Sequence, residues 1–228
     1  MNYNLHKDLF SCTVKKSLIL RLETFLKSDI DKIFDSSEED KKKFSLSIKD
    51  DIGTLYLDSI DEYKNDRFPA KTSNIYINLR KFGSLGNELH IRFPRTGTPC
   101  IEVYVEGDKS KDQATAIFLR IKEILEEYKT YHSLLHGNTA SMIIGGVNGV
   151  VLAMLYVKGS LTIQTAMMSF TVTILCSICF VVVTHYLYPK VEFESNALFI
   201  PRKIFHYILS TFIVGLLIVG FLKKKIFG

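Results

Sequence analysis

The chain has 228 residues, of which 47% are hydrophobic and 23% charged, and its formal net charge at pH 7 is +5. Residues 1–136 carry 22 Lys/Arg and 22 Asp/Glu, whereas residues 137–228 carry seven against two. The excess positive charge lies beside long apolar stretches, which indicates membrane topology and lipid headgroup attraction rather than nucleic-acid binding. A wholly soluble protein is excluded on this division, and we predict a domain over residues 1–136 followed by a membrane domain over residues 137–228.

The first ten residues, MNYNLHKDLF, are mostly polar and lack the apolar core of a secretory signal. We therefore expect the N-terminal domain to lie in the cytoplasm. In that compartment cysteines stay reduced, and we expect all four to act as small packing residues without disulfides. They are Cys12, Cys100, Cys176 and Cys179.

Hydrophobic periodicity predicts an α+β fold for the N-terminal domain, with an antiparallel sheet and two main helices. Its strands are expected at residues 9–14, 44–48, 52–57, 74–79, 88–93 and 100–105. The first helix is expected at 17–34 and is followed by a charged connector over 35–43.

The second predicted helix runs from Ser110 to about residue 135 and is opened by a capping box between Ser110 and Gln113. Only residues 136–141 separate it from the first apolar stretch, which is too short a linker to let the domain swing freely. We therefore expect this helix to act as a rigid lever that transmits rearrangements of the sheet to the membrane.

The chain contains no known catalytic or dinucleotide-binding motif and no zinc-finger spacing of cysteines, so we predict that it is not an enzyme and has no catalytic residue, metal site or cofactor. Four basic residues cluster on neighbouring predicted strands and the turn after them, and these are Arg80, Lys81, Arg92 and Arg95. Clustered guanidinium and ammonium groups suit phosphate, so this set is the predicted ligand-binding site. The alternative is scattered surface charge.

Three stretches without Asp, Glu, Lys or Arg predict an all-α transmembrane domain of three helices, at about 141–157, 161–187 and 204–222. The first is short and rich in glycine, and a re-entrant or interfacial segment remains the alternative for it. Three crossings place the N-terminal domain and the loop at 190–203 on the same side of the membrane. We predict a multi-pass protein of the inner (plasma) membrane.

Small polar residues follow helical spacing in the second membrane segment and include Thr165, Ser169 and Thr173, while Asn148 lies within the first. Such a stripe forms either a tight helix–helix seam or the lining of a hydrated path in an oligomer. We predict that these four residues line a pore, because hydroxyls and an amide at membrane depth exceed the needs of a simple anchor. The protein is then expected to be a homo-oligomer.

The predicted order of segments is a cytosolic α+β domain, a membrane hairpin, a YPKVEF segment at 188–193 and a last crossing opened by Arg202 and Lys203. This order resembles the small bacterial membrane effectors of antiphage defence, such as the Hailong-type signal-gated channel. The resemblance implies an ion channel gated by a nucleotide or oligonucleotide signal from a partner synthase, whose opening depolarises an infected cell. The competing expectation is a non-conducting, membrane-anchored adaptor whose soluble domain recruits a protein partner.

Overall fold

A computed structural model describes residues 2–34, 42–82, 86–132 and 186–194 of the chain. It also describes five single residues, all helical, which are Gly146, Gly149, Thr171, Ile178 and Val182. The predicted pore-lining residues Asn148, Thr165, Ser169 and Thr173 lie outside the described residues, as does the third predicted membrane helix at 204–222. Within the described part of the chain, no helix is long and apolar enough to cross a bilayer.

Six strands form one antiparallel sheet in the order β1-β7-β6-β5-β3-β4, here called the main sheet. Hairpins join β3 to β4, β5 to β6 and β6 to β7, so most neighbouring strands are also neighbours in sequence. The strands are β1 (Asn2–Asp8), β3 (Lys43–Lys49), β4 (Thr54–Leu57), β5 (Asn74–Phe82), β6 (Asn87–Pro94) and β7 (Cys100–Glu106). The predicted antiparallel sheet is confirmed.

Alternation along the central strands sends every second side chain into the core. In β6, for example, Leu89, Ile91 and Phe93 are fully buried. Helix α2 (Ser110–Glu126) packs against β7 and β1 and also contacts α1 (Lys16–Thr24). Both predicted helices are therefore present, and burial of one sheet face beneath them forms the core.

The first helix is shorter than its predicted span of 17–34. Regular α-helix ends at Thr24, after which the chain makes a wider π-helical turn over Phe25–Asp29 and a 3₁₀ turn over Ile30–Ile33. Phe25, Leu26 and Ile30 remain buried through these turns. The apolar repeat thus marked the buried face correctly, although it did not reveal the change in helical pitch.

The second helix ends at Glu126 rather than near residue 135, so the prediction of a continuous lever is wrong. Beyond it the backbone pairs with an early segment: the Thr13 N–H donates to the Tyr128 carbonyl at 2.8 Å and the Thr130 N–H donates to the Ser11 carbonyl at 2.7 Å. Pairing of this kind requires extended backbone, which is incompatible with helix.

The predicted capping box is also wrong. The residue before the helix is Lys109, which makes no side-chain capping bond, and Ser110 is itself the first helical residue. The turn into this helix instead uses Gly107, whose φ of 120° lies in a region that side chains disfavour.

Two short strands stand apart from the main sheet. The predicted strand at 9–14 is reduced to β2 (Cys12–Val14), which pairs in parallel with β8 (Val191–Phe193). On its other edge, Cys12 forms an antiparallel bridge with Lys129. We call these three paired segments, β2, β8 and residues 128–130, the junction.

Candidate functional site

The main sheet has an exposed face opposite the helices, which we call the open face. Alternation assigns to it the side chains that lie between the buried core residues, and the register aligns them in rows across the strands. One row joins Arg92, Tyr76, Ser47 and Tyr56 on β6, β5, β3 and β4. The open face therefore presents aromatic and cationic side chains side by side.

At the centre of this row, the Arg92 guanidinium lies over the Tyr76 ring, with Cζ 5.2 Å from the ring centroid. Tyr76 is 37% exposed, and Tyr56, two strands away, is 76% exposed. A spacing of roughly 10 Å separates two positions two strands apart in a sheet. The arrangement provides two planar surfaces to which a ligand ring can stack.

Two asparagines flank Tyr76 on the same face of β5. Asn74 is only 8% exposed, and Asn78 is partly buried. Their side-chain oxygens are buried and have no hydrogen-bond partner among the residues that the structure describes. Since an unsatisfied buried acceptor costs about 1–3 kcal/mol, these two oxygens call for donors that the described protein groups do not supply.

The structure separates the four basic residues of the predicted phosphate site. Arg80 and Arg92 share the open face but lie four register positions apart, about 14 Å along the strands, and Arg80 is 3.6 Å from Glu88. The Arg95 guanidinium donates to the Ala70 carbonyl at 2.9 Å. The side chain of Lys81 lies outside the described residues. Of the four, Arg92 is the one seated in the aromatic row.

Charge divides the open face into two halves. The half formed by β3, β4, β5 and β6 carries Lys43, Lys49, Arg80 and Arg92 against Glu88, whereas the half formed by β1 and β7 carries Asp8, Glu102 and Glu106. A phosphate-bearing ligand is therefore favoured on the half that also holds Tyr56 and Tyr76, and disfavoured on the other.

Titratable groups on the anionic half have raised pKa values. Burial raises the pKa of the Cys100 thiol, and the nearby Glu102 carboxylate raises it further. The Tyr104 hydroxyl donates to Glu106 at 2.9 Å, and this hydrogen bond raises the Tyr104 pKa. Both groups thus remain neutral at physiological pH, and neither is an activated nucleophile.

The junction is built from backbone hydrogen bonds with an apolar centre. The Cys12 N–H donates to the Lys190 carbonyl at 3.1 Å and the Glu194 N–H donates to the Val14 carbonyl at 3.0 Å. Val191 is fully buried against β2. Burial raises the pKa of the Cys12 thiol to about 12, so this group is protonated and unreactive while the junction is closed.

Side chains extend the junction to both ends of the predicted membrane hairpin. His132 lies two residues after the paired residues 128–130. Its Nδ1 donates to the Pro189 carbonyl at 3.0 Å, and its ring lies edge-on to Tyr188 with centroids 5.4 Å apart. Lys190 donates to the Thr98 hydroxyl at 3.0 Å, in the turn between β6 and β7. The chain is thus held to the domain both before residue 133 and after residue 185.

Comparisons with family models, curated proteins and solved structures found no match to this chain. Groups of three or more potential metal-ligating side chains are also absent from the described ranges. Functional inference therefore rests on the open face and on the junction.

Sequence reasoning selected the cations and missed the aromatic and carboxamide side chains beside them. The missed residues are Tyr56, Tyr76, Asn74 and Asn78. The alternation of apolar residues already places these side chains on the outward face of their strands. Only the strand register reveals that Tyr56 and Tyr76 occupy one row.

Proposed function

We propose that this protein is an oligomeric membrane effector whose α+β domain binds a soluble nucleotide or oligonucleotide signal and whose membrane segments conduct ions. The observation that carries the proposal is the junction. Residues 128–130 and 190–194, which flank the first two predicted membrane segments, pair with the same early segment around β2. A membrane anchor needs one covalent connection, whereas a domain that controls a membrane hairpin benefits from holding both of its ends.

Ligand binding and gating are linked in this proposal through the β6–β7 turn. Arg92 lies on β6 in the aromatic row, and Thr98, in the turn that follows, accepts a hydrogen bond from Lys190 of the junction. A ligand that shifts the β6–β7 turn therefore acts on a segment that directly follows the second predicted membrane segment. The resemblance to antiphage effectors supports the same arrangement, with a signal synthase as the upstream partner.

Ion flux from liposomes that contain the purified full chain tests the proposal. We expect flux that depends on nucleotide, and we expect Ser169→Leu and Thr173→Leu to lower it about tenfold or more, because a hydrated path needs the hydroxyls. Met167→Leu, on the opposite face of the predicted helix from the polar stripe, is the matched control and should retain flux. Native mass measurement in mild detergent should show an oligomer for all three variants.

Two results contradict the channel. If the Leu variants lose the oligomer before they lose flux, the stripe is a packing seam rather than a pore lining. If no conductance arises under any nucleotide or voltage while Ser169→Leu protects cells from phage as the wild type does, the protein is the non-conducting adaptor. A monodisperse monomer in detergent also contradicts the proposal.

A further inference from the structure

We infer that a second copy of this chain pairs with the outer edge of β4, antiparallel to it and about a two-fold axis that passes between the two Leu55 residues. The inference rests on the proposed function for the membrane that the copies share, and it names the surface through which their N-terminal domains meet. Strand β4 is the last strand of the main sheet, and no strand lies beyond it in the part of the chain that the structure describes. An edge of this kind is a template for a further strand.

A row of core side chains ends unfinished at this edge. The row runs across four neighbouring strands, from Phe93 through Ile75 and Ile48 to Leu55. The first three side chains are at most 3% exposed, whereas Leu55 is 47% exposed. A leucine at the same position of a further strand would continue the row and cover the Leu55 side chain.

The two edges of the main sheet differ in their protection against such pairing. At the opposite edge, β1 ends in His6, Lys7 and Asp8, and helix α2 packs against this strand. Charged side chains, lysine above all, are a common protection of sheet edges, as is a covering helix. Strand β4 has the sequence TLYL, which contains no charged residue and no proline. Its edge therefore lacks these protections.

The direction of the backbone groups fixes the register of the pairing. In the turn before β4, the Asp50 N–H donates to the Gly53 carbonyl at 3.0 Å. Backbone groups alternate in direction along a strand, so those of Leu55 also point to β3, and those of Thr54 and Tyr56 point outward. A second copy that sets its Thr54 opposite Tyr56 pairs all of these outward groups in four hydrogen bonds. The same register sets Leu55 opposite Leu55.

The small size of the edge favours a second copy over a soluble partner. Stable interfaces between freely diffusing proteins bury about 1,200–2,000 Å². A strand of four residues provides much less. Copies that are held in the same membrane need less, because tethering raises their effective concentration. The edge is also complementary to itself, as a two-fold contact between identical chains requires.

Disulfide cross-linking of the full chain in membrane vesicles tests the pairing. Leu55→Cys is made in a background in which Cys100, Cys176 and Cys179 are serine, and Cys12 is left in place because it is fully buried. In the inferred register the two Cα atoms at position 55 lie about 4.5 Å apart, which is within the range that a disulfide spans. We expect Leu55→Cys to form a covalent dimer rapidly under mild oxidation.

Two variants in the same background are the controls. Leu119→Cys replaces a leucine of α2 that is 55% exposed, and it measures cross-linking by random collision. Leu55→Cys should react about tenfold faster than this control or more, because a disulfide requires close and fixed geometry. Tyr56→Cys should also react slowly, because the two copies of this position lie diagonally, about 7–8 Å apart.

A charge exchange at the axis separates pairing from folding. Leu55→Lys and Leu55→Glu each set like charges opposite each other, and each alone should lose the contact. Co-expressed, the two variants set opposite charges there, and a zero-length carbodiimide reagent should join one copy of each kind. The yield should exceed several-fold that of co-expressed Leu119→Lys and Leu119→Glu, which are the matched controls.

Three outcomes overturn the inference. Leu55→Cys cross-links no faster than Leu119→Cys, or Tyr56→Cys cross-links as fast as Leu55→Cys, or the charge exchange at position 55 yields no more joined dimer than the exchange at position 119. Flux judges the proposed function separately. A chain that conducts with nucleotide but does not cross-link at Leu55 loses this pairing and keeps the channel, whereas one that cross-links there and never conducts keeps the pairing and is the adaptor.

Discussion

The main sheet and the junction are both β-structure, but they are stabilised in different ways. Strands of the main sheet are long, are mostly joined by hairpins and bury alternate side chains under two helices. The junction consists of two three-residue strands and a bridge at Lys129. Cys12 pairs with Val191 and with Lys129, both more than a hundred residues later in the chain. The side chains of Cys12, Val14, Val191 and Phe193 belong to the buried core. Because the junction has few hydrogen bonds and high sequence separation, we expect it to open at a lower free-energy cost than the main sheet.

The difference in stabilisation indicates which of the two regions a bound ligand is able to rearrange. A ligand cannot rearrange the packed core of the main sheet without several kcal/mol of lost burial. We expect it to act on the junction, where a small number of backbone hydrogen bonds and the buried side chains of Cys12, Val14, Val191 and Phe193 oppose opening. The main sheet is therefore suited to hold a binding surface in fixed geometry, and the junction is suited to change state.

The largest expected effect is from a charge in the junction. Val191→Asp introduces a carboxylate at a fully buried position beside Cys12, which should cost at least about 3 kcal/mol and open the junction. In a background where Cys100, Cys176 and Cys179 are serine, Cys12 should then react with a thiol-labelling reagent, whereas in the parent it should stay protected.

Secondary-structure content by circular dichroism is the control for this variant. It should change little in Val191→Asp, because β8 pairs with β2 and with no strand of the main sheet. Ile101→Asp, which places the same charge in the core of the main sheet, should unfold the domain. Equal unfolding in both variants would show that junction and sheet are one cooperative unit.

An intermediate effect is expected at Glu23, a buried carboxylate in α1 that belongs to the main-sheet side of the comparison. It accepts hydrogen bonds from the Ile60 N–H at 2.8 Å and from Lys27 at 2.5 Å. Glu23→Ala leaves these donors without the carboxylate and should lower the free energy of unfolding by about 2 kcal/mol. Urea denaturation followed by tyrosine fluorescence measures this change in the free energy of unfolding. The rate of Cys12 labelling without denaturant should be the same as in the parent protein.

The same carboxylate predicts a pH dependence. Burial acts to raise the pKa of Glu23, but the hydrogen bonds from Ile60, Lys27 and Ser59 outweigh it and hold the pKa below its usual value. Its contribution to stability is therefore fully present above the unfolded-state pKa of about 4.3 and is lost as pH falls through the lower folded-state value. Glu23→Ala should flatten the unfolding free energy across that interval, and an unchanged slope would contradict the assignment.

The smallest effect concerns the contact that joins the two regions. Lys190→Met keeps the apolar stem but removes the hydrogen bond to Thr98, and Thr98→Val removes its partner. A double-mutant cycle on the free energy of unfolding should give a coupling of about 0.5–1 kcal/mol. Nucleotide-dependent flux should fall in either variant if this contact carries the signal. If the two substitutions have additive effects on the free energy of unfolding and leave flux normal, the Lys190–Thr98 contact does not couple ligand binding to the membrane segments.

Sequence patterns predicted the parts whose structure is local. The alternating strands at 74–79, 88–93 and 100–105 and both helices are present, because period-two and helical repeats report which face is buried. By contrast, β1 was missed, because NYNLHKD buries only Leu5 at a sheet edge and shows no alternation of apolar residues. Edge strands require a partner, here β7, that no local pattern identifies.

Non-local pairing also explains the remaining errors. The sequence after Glu126 continues in helix-forming residues, so nothing before Gly137 indicated that Thr130 would pair with Ser11. The candidate site shows the same limit. The basic residues were selected because they lie on neighbouring predicted strands and the turn after them, whereas the register of β5 and β6 separates Arg80 from Arg92 and puts Tyr76 beside the latter.

The order in which the ribosome makes these segments gives the junction a role in biogenesis. Strand β2 is synthesised among the first 14 residues, but β8 emerges only after both predicted segments of the membrane hairpin have left the ribosome. Until then, the Cys12–Val14 edge has no β8 to pair with, and an unpaired edge is a site for aberrant association. On the proposed topology, the predicted hairpin therefore leaves the ribosome before the N-terminal domain can be completed by β8.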